Sequence, residues 1–248
     1  MVDGAFYSSG KHIVSLYTKI MLKKHVLFHA PFPKGPKIIV LNHPTTSDPF
    51  IMTTLFSEKM SILIQNAIFK VPLFGAYLHL AGHIPVNANN GNIAFTKACA
   101  LLKKGRTIVV FIEGDISPSD GGYHKPHTGP VRLALLTSAP IIPVGVGINR
   151  NNIKFFRATI GGKKDLIRWY LSGPYAITVG KAFTVYGDVE NRTHVRQLSI
   201  ELMNQVITLS KESNDRINTI ATPLIKKIPY ARGAYASAVR VYKHFHRD

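Results

Sequence analysis

Short apolar runs alternate with amphipathic segments along most of the chain. Five of these runs, several rich in β-branched residues, predict strands at residues 37–40, 61–65, 84–86, 107–112 and 141–148. Helical periodicity predicts short helices at residues 49–56, 90–104 and 129–138, and a long amphipathic helix at residues 192–209. A further strand pair is predicted at residues 175–185. This alternation of strands and helices predicts an α/β fold with three αβα layers around a mixed, largely parallel sheet.

The first part of the chain has a different pattern. Residues 6–28 combine aliphatic and aromatic side chains with four lysines, which predicts an amphipathic, basic N-terminal helix. Three prolines at positions 31, 33 and 36 then predict a linker into the first strand. We therefore divide the chain into a membrane-associating segment, residues 1–34, and one domain, residues 35–248. A helix packed on the domain with a solvated basic face is the alternative for the first segment.

The charge of the chain narrows the range of its partners. Its 31 Lys and Arg residues outnumber 13 Asp and Glu residues, which gives a formal net charge of +18. Such an excess indicates an anionic partner, such as a membrane surface, a nucleic acid or a phosphate-bearing ligand. The basic and aromatic run at residues 154–170 suits a membrane interface or a nucleic-acid surface, with an ordinary solvated rim as the alternative. The basic tail at residues 226–248 is interpreted as a second surface anchor or a loosely ordered end.

Two further observations concern compartment and topology. The one cysteine, Cys99, excludes an internal disulfide, lies on an apolar helical face and fits a reducing compartment. No signal peptide and no uncharged apolar run of about 18 residues is present, so we expect no membrane span. The expected location is the cytoplasmic face of a membrane, as a peripheral protein.

The strongest candidate for chemistry is the loop at residues 41–50, which follows the first predicted strand. His43 lies five residues before Asp48, and Pro44 and Pro49 favour a loop that folds back. A carboxylate on one imidazole nitrogen leaves the other free to accept a proton, which is the arrangement of a general base. On these residues alone the plainer interpretation stays open, in which Asp48 caps the next helix and His43 is an ordinary loop residue.

Four sequence blocks in order resemble the motifs of the glycerolipid acyltransferases of the lysophosphatidic-acid acyltransferase type. Asn42, His43 and Asp48 resemble the NHx4D motif of that family. The other three blocks are residues 82–86, 111–117 and 141–146, which are similar to the second, third and fourth motifs of the family. The resemblance covers roughly residues 35–185 and agrees with the α/β fold expected from the pattern of strands and helices.

The resemblance implies transfer of an acyl group from a thioester, acyl-CoA or acyl-carrier protein, to a hydroxyl of a lysophospholipid, glycolipid or polyol. It implies His43 as the general base and Asp48 as the residue that orients it. It implies an acceptor site near the third and fourth blocks, with Glu113 and Gly114 shaping the pocket and Pro143 at its rim. From the same stretch of chain we add Asp115, Ser117 and Lys125 as candidate acceptor-binding residues. No cofactor, metal or nucleophilic Ser or Cys is implied.

The chain departs from the family pattern at two positions where arginine is expected. Asp115 and Ile116 occupy the Thr-Arg positions of the third block, and Asn87, Ala88 and Asn89 follow the second block. Because a buried phosphate needs compensating donors, we expect an acceptor without phosphate unless Lys125, His124 or Arg132 substitutes. A basic module that keeps the fold and binds an anionic membrane or nucleic acid is the alternative function, although nucleic acid is the weaker partner.

Overall fold

The computed structural model describes residues 2–87, 90–160 and 163–221, with the side chains of residues 2–6, 160, 163–165 and 220–221 left aside. Its helices are α1 Val2–Met21, α2 Asp48–Met52, α3 Phe74–Leu80, α4 Gly91–Lys103, α5 Gly129–Thr137 and α6 Arg192–Ala221. Its strands are β1 Leu22–Phe28, β2 Lys37–Leu41, β3 Met60–Gln65, β4 Ile84–Val86, β5 Thr107–Phe111, β6 Ile141–Ile148, β7 Ile153–Ile160, β8 Lys163–Tyr170 and β9 Gly173–Val179. Short 3-10 helices occupy Asn66–Lys70 and Arg150–Asn152. The predicted tail at residues 226–248, Ala88 and Asn89 lie outside the described residues.

Seven strands form one sheet in the order β1-β9-β6-β2-β5-β3-β4. All neighbours pair in parallel except β6 and β9, which are antiparallel, so β1 and β9 run against the other five strands. The central strands β2, β5 and β6 are buried along their whole length, because both faces of the sheet are covered. The predicted fold class is confirmed: a mixed, largely parallel sheet between helical layers.

The two faces of the sheet carry separate apolar clusters. One cluster includes Ile39, Leu41, Phe111 and the α2 residues Ile51 and Met52. The other cluster joins the opposite face to residues of α4, α5 and α6. Helix α6 approaches β6 closely, since a Cβ at Gly145 would lie 2.0 Å from the Ser210 nitrogen. Glycine at this position therefore permits the contact between α6 and the sheet.

Three predicted elements differ from the observed ones. The helix predicted over residues 6–28 ends at Met21, and Leu22–Phe28 forms the edge strand β1, paired in parallel with β9. The strand pair predicted at residues 175–185 is one strand that ends at Val179, after which Phe183 makes an isolated bridge to Ile141. The run at residues 154–170 forms the antiparallel hairpin β7–β8, which the sequence analysis did not predict.

These differences share one physical cause. The sequences of these short segments favour neither helix nor strand clearly, so pairing with a neighbouring strand determines their conformation. Leu22 is 5% exposed and packs into the core, while β9 offers β1 a free edge. The proposed division of the chain at residue 34 stays a prediction, as does membrane association of the first segment. Residues 22–28 of that segment belong to the main sheet.

The buried histidine His83 leads to a prediction about how the free energy of unfolding depends on pH. His83 precedes β4, is 3% exposed, and its Nδ1 accepts a hydrogen bond from the Ile62 N–H at 3.2 Å. Burial, followed by the charges of Arg106 and Lys59, lowers the pKa of His83 to about 4. An unfolded histidine has a pKa of about 6.5. Between these values the unfolded chain binds a proton that the folded chain does not.

The free energy of unfolding should therefore fall as the pH decreases from 6.5 to 4, and His83 should account for about 2 to 3 kcal/mol of that loss. His83→Asn, which keeps an acceptor for the Ile62 N–H, should weaken this dependence. Urea unfolding of both proteins at pH 4.5 and pH 7 measures the difference. An identical pH dependence in the two proteins would contradict the assignment.

Candidate active site

The loop that follows β2 is fixed to the neighbouring strand by a buried amide. The Asn42 side chain donates to the Val146 carbonyl at 3.0 Å and accepts from the Val146 N–H at 2.8 Å. It therefore continues the β2–β6 ladder by one position after the strand has ended. Asn42 also donates to Ser210 Oγ of α6, at 3.2 Å. These contacts fix the position of the next residue, His43.

His43 and Asp48 form a hydrogen-bonded pair. The distance from His43 Nδ1 to Asp48 Oδ2 is 3.0 Å, and the imidazole stacks on the Phe111 ring with centroids 4.0 Å apart. The side chain of His43 is 14% exposed, whereas that of Asp48 is fully buried. No described residue forms a hydrogen bond with His43 Nε2. The pairing fixes the ring orientation and leaves Nε2 as the nitrogen that can accept a proton.

The buried carboxylate of Asp48 is fully supplied with donors. Oδ2 accepts from the Thr45 N–H at 2.7 Å as well as from His43, and Oδ1 accepts from Thr45 Oγ1 at 2.7 Å and Tyr175 OH at 2.8 Å. Burial, followed by the neighbouring Asp48 charge, raises the pKa of Tyr175 well above its usual value, so the phenol stays a donor. These donors compensate for the removal of a carboxylate from water.

Glu113 links the loop after β5 to the loop that carries His43. Its Oε1 accepts from the His43 N–H at 3.1 Å and from Ser117 Oγ at 2.6 Å, and its Oε2 accepts from the His124 N–H at 2.8 Å. The Ser117 N–H donates to the His43 carbonyl at 2.8 Å. Glu113 and Ser117 are each 2% exposed. Both predicted acceptor ligands thus brace the backbone of His43 from within the protein.

The exposed part of this loop contains Gly114 and Asp115. Gly114 has a φ of 71°, and a Cβ there would lie 2.6 Å from the His127 ring, so the position requires glycine. The Asp115 carboxylate is turned to its own backbone, since its Oδ1 accepts from the Ile116 N–H at 2.7 Å. Being exposed, its charge is screened by solvent.

The remaining predicted residues are more scattered. Pro143 is buried within β6 opposite Val40, so it does not form the predicted rim of the site. Arg132 lies on α5 with its guanidinium 5.0 Å from the Phe95 ring of α4, on the opposite face of the sheet from His43. Lys125 and His124 are exposed in the loop between β5 and α5. Of these residues, Lys125 and His124 belong to the loop after β5, on the same edge of the sheet as His43.

The β7–β8 hairpin contributes contacts to the candidate site that the sequence pattern does not predict. The Thr46 N–H donates to the Arg168 carbonyl at 2.8 Å, and the Arg168 N–H donates to Thr46 Oγ1 at 3.3 Å. The Tyr170 N–H donates to Ser47 Oγ at 3.0 Å. Arg168 Nη1 donates to the Ser117 carbonyl at 2.6 Å. The end of β8 is therefore a wall of the candidate site and contributes a guanidinium group.

A family model described as Acyltransferase matches residues 18–147, just over half of the chain. The chain belongs to the acyltransferase family. The predicted resemblance is thus confirmed, and the matched residues include β2, the His43 loop, Glu113 and most of β6.

Two acyltransferases illustrate the extent of the similarity. The 1-acyl-sn-glycerol-3-phosphate acyltransferase of Cocos nucifera is 29% identical over 117 residues, which cover 46% of this chain and 38% of that relative. The chain thus matches well under half the length of this relative. The crystal structure of PlsC, the 1-acyl-sn-glycerophosphate acyltransferase from Thermotoga maritima, is similar with a TM-score of 0.54 and 16% identity. That match covers 89% of this chain and 80% of PlsC, and it confirms the fold.

Within residues 2–87, 90–160 and 163–221, no three His, Cys, Asp or Glu side chains converge as metal ligands. Within these ranges, too, no helix combines the length and the apolar character that crossing a bilayer requires. The absence of a cofactor stays a prediction.

Proposed function

We propose that this acyltransferase-family chain moves an acyl group from a thioester, acyl-CoA or acyl-carrier protein, to a hydroxyl of a lysophospholipid, glycolipid or polyol. The observation that carries the proposal is the His43–Asp48 hydrogen bond, which leaves Nε2 free beside a partly exposed loop. A module that only binds an anionic surface would gain nothing from a buried carboxylate with four donors oriented towards one imidazole.

The chemistry follows from this arrangement. His43 Nε2 takes the proton of the acceptor hydroxyl while the hydroxyl oxygen attacks the thioester carbonyl carbon. The tetrahedral intermediate then expels the thiolate, the C–S bond breaks, and the imidazolium returns its proton to the sulfur. Asp48 stabilises the imidazolium during these steps, as a triad carboxylate does. The products are an ester and a free thiol.

Other side chains support transfer without an acyl-enzyme intermediate. Ser117 is 2% exposed and its hydroxyl donates to the buried Glu113 carboxylate, so a thioester in solution does not reach its Oγ. Cys99 lies on α4, where burial raises the pKa of its thiol and so lowers its thiolate fraction. Neither residue is arranged as a nucleophile. Both substrates are therefore expected on the protein at the same time.

The test is an acceptor panel with the purified chain. A labelled acyl-CoA and a labelled acyl-carrier protein are each incubated with a lysophospholipid, a monoacylated glycolipid, a monoacylglycerol and a polyol. Mass spectrometry should detect an ester of at least one acceptor together with one free thiol per ester. If none of the pairs of donor and acceptor formed an ester, the proposed reaction would be contradicted.

The proposal includes peripheral binding to an anionic membrane, on its cytoplasmic face. Helix α1 is attached to the body through Tyr7, Lys11 and Tyr17, whose side chains form hydrogen bonds to backbone groups of other elements. Its outer face exposes Ile13, Leu16 and Ile20, to 71%, 62% and 71%. The Tyr17 hydroxyl reaches the carbonyl of Leu171, just after β8. The apolar stripe of α1 thus adjoins the hairpin, which itself exposes Phe155 and Phe156.

Basic residues beside an apolar stripe suit a membrane of anionic lipids, because each Lys or Arg near the surface contributes about 1 kcal/mol. Ile13→Gln should weaken binding to anionic vesicles by roughly tenfold, as it removes one inserted side chain. Ile93→Gln is the matched control, since Ile93 is 73% exposed on α4, on the opposite face of the sheet. Cosedimentation with vesicles measures both variants. Equal losses in the two, or binding that high salt leaves unchanged, would contradict this part of the proposal.

A further inference from the structure

Arg168 brings a guanidinium to the loop after β5, where the arginine of the family motif is absent. Ile116 stands where the family motif has arginine, and Arg168 Nη1 donates to the carbonyl of the next residue, Ser117. The backbone of Arg168 is fixed independently, because its N–H and its carbonyl both bond to Thr46. The backbone of Arg168 is therefore held at Thr46, three residues after His43, while its guanidinium contacts the loop after β5.

The guanidinium has unused donors. Arginine carries five N–H donors, and one contact, to Ser117, accounts for Nη1. Among the described side chains, no carboxylate lies within ion-pair distance of Arg168. The two nearby carboxylates of the site, Asp48 and Glu113, are already satisfied by other donors. Arg168 is half-buried, so an incoming anion would meet a charge that is partly shielded from water.

The surroundings of Arg168 are apolar on the hairpin side. Phe155 is directly opposite Arg168 in the antiparallel pair and so shares its face of the hairpin. Phe155 is 53% exposed. A cationic fork beside an exposed aromatic ring suits a molecule with an anionic group and an acyl chain.

We propose that Arg168 binds the phosphate of a lysophospholipid acceptor and orients its hydroxyl towards His43 Nε2. This inference rests on the proposed acyl transfer and deepens it. It replaces the expectation of a phosphate-free acceptor, because that expectation depended on the absence of a guanidinium from the site. Arg168 acts here as a specificity residue that touches the acceptor.

The experiment compares two acceptors that differ in the phosphate, 1-acylglycerol 3-phosphate and monoacylglycerol. Arg168→Gln should lower kcat/KM for the phosphorylated acceptor by about 10- to 100-fold, the range for a lost charge-assisted contact. The loss should be in KM, with kcat and all constants for monoacylglycerol changed by less than about threefold. Arg168→Lys should show an intermediate KM, since it keeps the charge without the fork.

Arg150→Gln is the matched control. Arg150 Nη1 also donates to carbonyls of this loop, those of Pro118 and Ser119, but the Arg150 backbone has no hydrogen bond to Thr46 among the described contacts. If Arg168 only fastened the loop, Arg150→Gln would have a similar effect, and both acceptors would lose activity. If Arg168 served the tetrahedral oxyanion, kcat would fall for both acceptors. Either result would overturn the inference while leaving the transfer reaction established.

Should Arg168→Gln fail to fold, glycerol 3-phosphate serves as a probe on the wild-type protein and on Arg168→Lys. It should inhibit the wild-type competitively against the phosphorylated acceptor, and its inhibition constant should rise at least about fivefold in Arg168→Lys. Equal inhibition constants would overturn the inference. A wild-type protein that acylates none of the acceptors would instead contradict the proposed function itself.

Discussion

His43→Ala is expected to reduce acyl transfer by about 10²- to 10⁴-fold, the range for removal of a general base. The imidazole is the group with a free nitrogen beside the exposed loop, and its Nδ1 is already bound to Asp48 at 3.0 Å. The fold should survive, because Asn42 and Glu113 hold the loop through contacts that do not involve the imidazole.

The rate should be measured with saturating donor and acceptor, and the fold should be checked by circular dichroism. His194→Ala is a suitable control, since His194 is half-buried in the first turn of α6 and its Nε2 contacts the Tyr186 carbonyl rather than a group of the His43 loop. A folded His43→Ala protein with wild-type turnover would contradict the general-base role.

Asp48→Asn is expected to cause the second large loss, also of about 10²- to 10⁴-fold in kcat. An amide cannot stabilise the imidazolium that forms when His43 takes the proton, and it favours the wrong tautomer. It also places an NH₂ group against donors, because each carboxylate oxygen of Asp48 accepts two hydrogen bonds. We therefore expect a loss of stability of about 1 to 3 kcal/mol as well.

Turnover and urea unfolding should be measured on the same preparation of Asp48→Asn. Asp188→Asn provides the comparison, since Asp188 is an exposed turn residue before α6. If Asp48→Asn lost stability but kept kcat, the carboxylate would be a structural anchor of the loop and nothing more.

The sequence was most informative where one side chain pattern had one structural solution. Continuous apolar β-branched runs predicted the buried strands β2, β5 and β6, since a strand covered on both faces has no polar side. The parallel arrangement of β2 and β5 then brings the loops after both strands to the same edge of the sheet. For this reason His43 and Glu113 could be expected to lie near each other before their contact was observed.

The partners of the site from distant parts of the chain could not be predicted in this way. Tyr175 bonds to Asp48 across 127 positions of the chain, and Arg168 reaches the loop from β8. Nothing in the local pattern of either residue indicates a polar contact. Pro143 illustrates the opposite error, because a motif position was assigned to the rim although its strand continues for five more residues beyond it.

The hairpin β7–β8 was missed although one local signal was present. Gly161 and Gly162 separate two runs with aromatic and β-branched residues, which is a hairpin signature. The usual alternation of apolar and polar side chains along a half-buried strand is absent here. Phe155 and Phe156 lie on opposite faces of the hairpin, and both are exposed. The local pattern alone therefore places Arg168 in a basic and aromatic run that suits a membrane interface or a nucleic-acid surface.

The central claim is that the acyl group passes from the thioester to the acceptor without an acyl-enzyme intermediate and that this transfer depends on His43. A single-turnover experiment with a ¹⁴C-acyl thioester, in slight deficit over the protein, tests it. The protein is mixed first with the donor alone and then with the acceptor, and both the protein and the lipid fractions are counted. The account predicts no label on the protein before the acceptor is added, and afterwards label in the acceptor ester at a rate that His43→Ala abolishes. Label covalently bound to the protein without acceptor, or ester formation that is equally fast in His43→Ala, would contradict it.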